Sequence, residues 1–308
     1  MQICYDARVT QTIDIIAFYA FSPMDDARVA ALREELSEFG DARGMRGLVL
    51  LATEGINGTV CGSPKAVGEW KELIGRQFPS GTWNESTADQ LVFPRWLVKV
   101  REEIVALDRP NSSQLADTHL TPAEWNAMME DKDAVIIDTR NAYETRVGMF
   151  EGAIDPNIER FTQFETYAAA CDVPKDKKVM LYCTGGIRCE KAVASMKDAG
   201  FEHVFQLKGG ILSYLKEFPD AKFRGECFVF DHRVAVDQKL QPSSTYSLCP
   251  SCGDPGTEKV SCPQCSRSFV ACIDCLKNNP KAACSKNCAY HYGRKQKKPP
   301  RSRVRGTK

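Results

Sequence analysis

The chain has 308 residues, enough for two or three domains. Its 43% hydrophobic and 26% charged content fits folded globular protein and excludes fibrous or disordered classes. Lys and Arg (41) balance Asp and Glu (40), which excludes a surface that is basic throughout. Eight of the basic residues are gathered into residues 293–308, where there is no acid.

The longest apolar run, Ile13 to Phe21, is interrupted by Asp14 and is too short to span a bilayer. Cys4, Asp6 and Arg8 precede it without a signal-peptide layout. That run reads as a strand, rich in Ile, Phe and Tyr. Asp25 to Gly40 reads as a helix, with Val29, Leu32, Leu36 and Phe39 on one face and Gly40 as its stop. Gly47 to Thr53 and Asn57 to Cys61 read as two strands. Glu54-Gly55-Ile56-Asn57-Gly58 joins them, with Asn57-Gly58 as turn chemistry. Ser63 caps a second helix opened by Pro64, with Val67, Trp70, Leu73 and Ile74 inward. Trp96 to Leu107 alternates as a final strand, broken near Glu102-Glu103. The order βαββαβ predicts a ferredoxin-like domain over residues 1–108. Such a sheet serves RNA contact or plain packing equally well, since fold alone licenses no function.

Residues 109–120, with Arg109-Pro110-Asn111-Ser112-Ser113-Gln114, read as a linker. Thr121-Pro122-Ala123-Glu124 is a helix start with a capping box. Ala134 to Asp138 is a short apolar strand, Phe161 to Ala170 a helix, and Val179 to Tyr182 the next strand. His203 to Leu207 is a last strand, turning at Gly209-Gly210 into a helix. Strands alternating with helices over residues 121–225 predict a parallel α/β sheet covered on both faces. Ligands in such sheets bind beyond the carboxyl ends of the strands, where Asp138 and Cys183 both fall. Asp138 and Arg140 read best as a structural ion pair beside that site.

Val179 to Tyr182 runs into Cys183-Thr184-Gly185-Gly186-Ile187-Arg188, and a helix follows up to Gly200. Strand, tight glycine loop and helix N-terminus together lower a thiol pKa. Backbone N–H groups converge on the sulfur, the helix dipole adds partial positive charge, and an arginine adds a full one. Cys183 therefore reads as a thiolate nucleophile, with Thr184, Gly185, Gly186, Ile187 and Arg188 as an anion-binding loop. A buried structural cysteine at a strand end is the competing reading. Cys189 could resolve an oxidised Cys183. Adjacency at a helix start points the two side chains apart, which makes Cys189 a packing residue.

Glu226-Cys227-Phe228-Val229-Phe230-Asp231 and Arg233-Val234-Ala235-Val236 read as an extended connecting segment over 226–248. It is expected to cross the central domain or bridge to the first. Four cysteine pairs follow in 249–292: Cys249/Cys252, Cys262/Cys265, Cys272/Cys275 and Cys284/Cys288. Close pairs of this kind favour a reducing, cytosolic compartment and two structural Zn2+ ions. Interleaved sites, pairs one and three on one ion and two and four on the other, are the favoured arrangement. Sequential sites, or His291 in place of Cys288, remain open. The tail, 293–308, reads as a phosphate-binding arm or a solvated end.

The loop from Cys183 to Arg188 resembles the sulfur-carrying loop of rhodanese domains. Ala134-Val135-Ile136-Ile137-Asp138-Thr139-Arg140 with Glu144, and Phe150-Glu151-Gly152-Ala153-Ile154, resemble two further rhodanese segments. Three stretches in order narrow the match: Glu54 to Val60, Cys183 to Ala192, and Gly225 to Val236. Together they resemble the rhodanese-domain tRNA uridine hydroxylases. That resemblance implies an enzyme forming 5-hydroxyuridine at the tRNA wobble position with molecular oxygen, Cys183 as its active-site thiol, the anticodon loop as its partner, and a cytoplasmic location. It also offers Glu54 and Asn57 as substrate contacts. No flavin or nicotinamide fingerprint is present, and the four histidines form no facial triad. The loop alone fits a plain sulfurtransferase carrying a persulfide on Cys183 equally well. A zinc-dependent interaction protein with a vestigial site is a third reading.

Overall fold

A computed structural model describes residues 12–109, 118–279 and 282–296. Most of the linker, most of the basic tail and the first eleven residues lie outside these. The chain divides into two compact units, up to Ser243 and from Ser244 onward. No helix among the described residues is long and apolar enough to cross a membrane.

The first unit opens with strand β1 (Ile13–Phe21), helix α1 (Asp26–Ala42), β2 (Arg46–Ala52), β3 (Gly55–Gly62), α2 (Pro64–Gln77), β4 (Thr82–Ala88) and β5 (Trp96–Val100). The strands pair in the order β4-β1-β3-β2-β5. All neighbours are antiparallel except β2 and β5. The expected ferredoxin-like βαββαβ is present, but its last strand is β4, which the sequence reading missed. The expected strand from Trp96 ends at Val100 and adds a fifth strand at the other edge.

Asp25 caps α1 by accepting from Arg28 N, and Ser63 caps α2 by accepting from Ala66 N. Gly40 does not stop α1. It lies inside the helix because the Trp96 ring packs where its side chain would be, with Cε2 2.1 Å from an ideal Cβ. Asn57 and Gly58 lie within β3 rather than in its turn. Gly58 is needed there because Leu48 O would stand 2.7 Å from any Cβ. Leu32, Leu36, Val67 and Trp70 of the helices cover one sheet face, meeting Ile16, Phe18, Val49 and Val60. The pleat turns Ala17, Leu48, Thr59 and Asn84 to the opposite face. These four are cross-strand partners in one row, and neither helix covers that face.

The chain continues with β6 (His119–Leu120), α3 (Pro122–Met128), β7 (Ala134–Asp138), α4 (Ala142–Thr145), β8 (Gly148–Phe150), a 3-10 turn (Phe161–Gln163) and α5 (Phe164–Ala170). Then come β9 (Lys178–Tyr182), α6 (Ile187–Asp198), β10 (His203–Leu207), α7 (Gly210–Glu217) and β11 (Phe223–Gly225), which pairs with β8. The sheet β6-β10-β9-β7 is wholly parallel. Val179 and Leu181 face α5 and α6, while Met180 and Tyr182 face α3 and α7. That alternation gives the expected two covered faces. Thr121 and Glu124 form the expected capping box.

The segment expected to be extended folds back as a hairpin, β12 (Cys227–Phe228) with β13 (Ala235–Val236). Its tip reaches the first domain. His232 N donates to Val92 O at 2.9 Å, and Arg233 donates to Ser86 Oγ at 2.9 Å.

In the second unit, β14 (Ser247–Leu248) pairs with β15 (Pro255–Gly256), and β16 (Glu258–Ser261) with β17 (Ser268–Ala271). Helices α8 (Ile273–Asn278) and α9 (Lys286–Gln296) follow. Among its described residues the buried apolar side chains are small, Cys249, Cys262, Ala271, Cys272, Ala282 and Ala283, with a few half-buried ones beside them.

Candidate active site

Cys183 follows β9 directly, and its loop curls before α6. Gly186 takes φ +103°, a conformation that favours glycine, and a Cβ there would meet the Tyr19 hydroxyl at 2.9 Å. The carbonyls of Cys183 and Thr184 are taken by Ile211 N and Leu212 N of α7. The amides of the loop are thereby left to face the sulfur. Gly186 N donates to Cys183 Sγ at 3.1 Å. Burial pushes this thiol up. The Cys189 thiol, the Arg188 charge and the amides of Arg188 and Gly186 outweigh it, leaving the pKa at about 6. Cys183 is thus largely a thiolate at neutral pH.

Cys189 is fully buried in the core, as the sequence reading had it. Its thiol is not pointed away, however. The first turn of α6 brings it against the Cys183 sulfur, and burial together with that contact pushes its own pKa well up. It stays protonated and serves as a donor. Arg188 is not free to cradle a ligand alone. Glu144 holds it in a bidentate pair, 2.6 and 2.8 Å, and Thr184 Oγ1 stands 3.5 Å from the same carboxylate. Asp138 and Arg140 form the expected buried pair at 2.6 Å, with Arg140 also donating to Gly148 O. Asp138 does not join Cys183 in one site, since it is spent on Arg140 and lies outside the cavity lining.

Cys183 borders a cavity of about 390 Å³. Its floor is the helix-free face of the first sheet, with Ala17, Leu48, Thr59 and Asn84. Its walls are the Cys183–Arg188 loop and the Val229–Arg233 tip. That volume falls within the range of small-ligand sites.

Glu54 acts as a clasp between the domains rather than as a substrate contact. Lys191 is fully buried, with Nζ 2.9 Å from Glu54 and 2.5 Å from Glu103. Glu54 also accepts from Ile104 N, and Asn57 donates to Ile104 O. Asn57 nonetheless lines the cavity. Tyr19 donates to Glu190 at 3.0 Å, and Asn84 donates to Gly209 O at 3.2 Å. The three sequence stretches that travel together are thus the three parts of one docked cavity. Sequence reasoning missed Tyr19, Asn84 and Lys191 because none carries a local signal.

In the second unit, Cys249, Cys252, Cys272 and Cys275 gather, as do Cys262, Cys265, Cys284 and Cys288. Within each group every sulfur lies within 4.8 Å of the others. Four thiolates around a tetrahedral ion at about 2.3 Å would be about 3.8 Å apart, so each group can hold one metal ion. The grouping of the sulfurs is the interleaved one, with Cys288 rather than His291 completing the second group.

Three family models match in sequence: the UPF0176 acylphosphatase like domain over residues 13–104, the Rhodanese-like domain over 121–217 and the Rhodanase C-terminal over 224–289. A tRNA uridine(34) hydroxylase of Bdellovibrio bacteriovorus is 45% identical, covering 92% of this chain and 84% of its own length. Namesakes from Teredinibacter turnerae (42% identical, covering 82% of this chain and 83% of their own) and Synechococcus sp. (37%, covering 86% and 92%) are similar to it as well. The solved rhodanese-like domain of the Anabaena sp. Alr3790 protein overlays 35% of this chain and 79% of its own, at 23% identity and a TM-score of 0.31. With identity at this level over most of both lengths, the chain belongs to the tRNA uridine(34) hydroxylase family.

Proposed function

We propose that this protein hydroxylates C5 of the wobble uridine of tRNA to 5-hydroxyuridine, using molecular oxygen, with Cys183 as the active-site thiol. The observation that carries the reading is a buried thiolate at the edge of a cavity whose floor belongs to a second domain. A plain persulfide carrier needs the Cys183 loop alone. Here Lys191 and Glu190 lock that loop, and Arg233 the hairpin tip, against a sheet, and the enclosed space has room for part of a substrate. The anticodon loop is the partner, since a base chemically altered at C5 must leave its stack to reach a recessed thiol. The two Cys4 groups hold structural Zn2+, closed shells with no open position for catalysis. The location is cytoplasmic, where unpaired cysteines stay reduced.

Nucleoside mass spectrometry of tRNA from cells lacking the protein tests the reading. Wobble nucleosides derived from 5-hydroxyuridine should vanish, and return with the wild-type gene but not with Cys183→Ser. An unchanged tRNA profile, together with cyanide-dependent turnover of thiosulfate abolished by Cys183→Ser, would make the protein a sulfurtransferase.

A further inference from the structure

Among the large apolar side chains around the cavity, Phe230 stands out as 57% exposed. The hairpin tip that carries it is tied down on both sides of the turn. Asp231 and Arg233 pair at 2.6 Å with little exposure, Arg233 ties the tip to Ser86, and His232 N ties it to Val92. Below it, Phe228 meets the ring edge-on at 5.1 Å, and the Arg188 guanidinium lies 5.8 Å from its centroid. An aromatic ring held in place yet left in water is a surface waiting for a flat partner.

A second observation concerns Asn84. Its Nδ2 is spent on Gly209 O at 3.2 Å, which fixes the amide plane. Its Oδ1 has no partner among the described residues and is a ready acceptor on the cavity wall. The side chain sits beside the Cys183 loop, with Nδ2 3.7 Å from an ideal Cβ on Gly185 and Oδ1 3.7 Å from one on Gly209. Lys216, exposed at the end of α7 and also on the cavity lining, forms no ion pair among the described residues.

We propose that the cavity takes one pyrimidine base turned out of an RNA loop, stacked on Phe230. Asn84 Oδ1 accepts the N3–H that uracil has and cytosine lacks, and Lys216 meets the flanking phosphate. The inference rests on the proposed function for its substrate class. A fixed acceptor opposite N3 is satisfied by uracil and faces a lone pair in cytosine, so discrimination comes from an unmade bond as well as a made one. Stacking on Phe230 is indifferent to base identity and supplies affinity.

The test uses the full chain and an anticodon stem-loop carrying 4-thiouridine at position 34, the position in the relatives' name. Near-ultraviolet light should crosslink the base to the peptide containing Phe230 or to the one containing Asn84. Crosslinks confined to other segments would overturn the proposal. Phe230→Ala should weaken binding of the unmodified stem-loop by about fivefold or more, with Phe230→Trp restoring it. Equal affinity in all three proteins would remove Phe230 from the site. Asn84→Ala should bring the ratio of affinities for U34 and C34 loops toward one, and a ratio unchanged from wild type would remove Asn84. A crosslink at Phe230 without 5-hydroxyuridine formation would sink the proposed reaction and leave the base pocket standing. Product formed without that crosslink would do the reverse.

Discussion

Replacing Lys191 with Met tests the clasp that closes the cavity. The two side chains are similar in length and volume, so the change removes little more than the charge. In the wild type the ammonium is fully buried and shared by two carboxylates, Glu103 at 2.5 Å and Glu54 at 2.9 Å. Removing one partner of a buried ionic group costs about 3–5 kcal/mol, because the other is left without compensation. Glu54 and Glu103 keep 17% and 22% of their side-chain surface in water, so they recover part of that by hydration. The expected loss at pH 7 is therefore about 3 kcal/mol, at the lower end of the range. The pH dependence has a definite sign. Burial pushes Glu103 up, but the Lys191 hydrogen bond and backbone amides outweigh it and hold its pKa below the ordinary carboxylate value. Its contribution is fully present above the unfolded carboxylate pKa of about 4.3 and is lost as pH falls through the depressed folded value. Urea unfolding of both proteins at pH 7 and pH 4 reads the effect. The gap between them should shrink at the lower pH. A loss under about 1 kcal/mol at pH 7, or a gap that stays constant with pH, would refute the clasp.

Three other outcomes are expected. Alkylation of Cys183 by iodoacetamide, followed by mass spectrometry, should rise with pH about a midpoint near 6, and Arg188→Met should move that midpoint upward by leaving the Glu144 charge unopposed; an ordinary thiol midpoint in the wild type would refute the cradle. Gly55→Ala should cost about 3 kcal/mol or more, since Gly55 has φ +150° and its Cβ would stand 2.0 Å from Ala20 O; an unchanged melting temperature would contradict this. Cys249→Ser should lower metal content from two ions to one by elemental analysis, and two ions retained would break the assignment of Cys249 to a four-sulfur site.

The parts of the fold written in neighbouring residues were legible. Thr121, Pro122 and Glu124 set a capping box within four positions, and Cys183 to Arg188 builds its loop within six. Strand β4 was not legible, because Thr82-Trp83-Asn84-Glu85-Ser86-Thr87 lacks the apolar alternation of a covered strand. The reason is now visible: Asn84 and Ser86 face a cavity rather than a core. Gly40 reads as a helix stop in the sequence because only the fold reveals that Trp96 occupies its side-chain space. The sequence does not mark Glu144 as the partner of Arg188, since a separation of 44 residues hides a bidentate contact. Cys189 was misdirected for a similar reason. Helical spacing describes residues within a helix, whereas Cys183 lies before α6 in a loop that doubles back over its first turn.

The interleaved cysteine groups have a consequence for how the second unit comes into being. The first group has one pair on each side of Cys262/Cys265, and the second group has one pair on each side of Cys272/Cys275. The stretch between Cys252 and Cys272 contains half of the second group, and the stretch between Cys265 and Cys284 contains half of the first. Closing either loop therefore draws the other group's ligands together, lowering the chain entropy left for the second closure. Metal loading is accordingly expected to be cooperative: at substoichiometric metal the population should split into empty and fully loaded chains, with few molecules holding a single ion. Sequential sites would have filled as two independent beads.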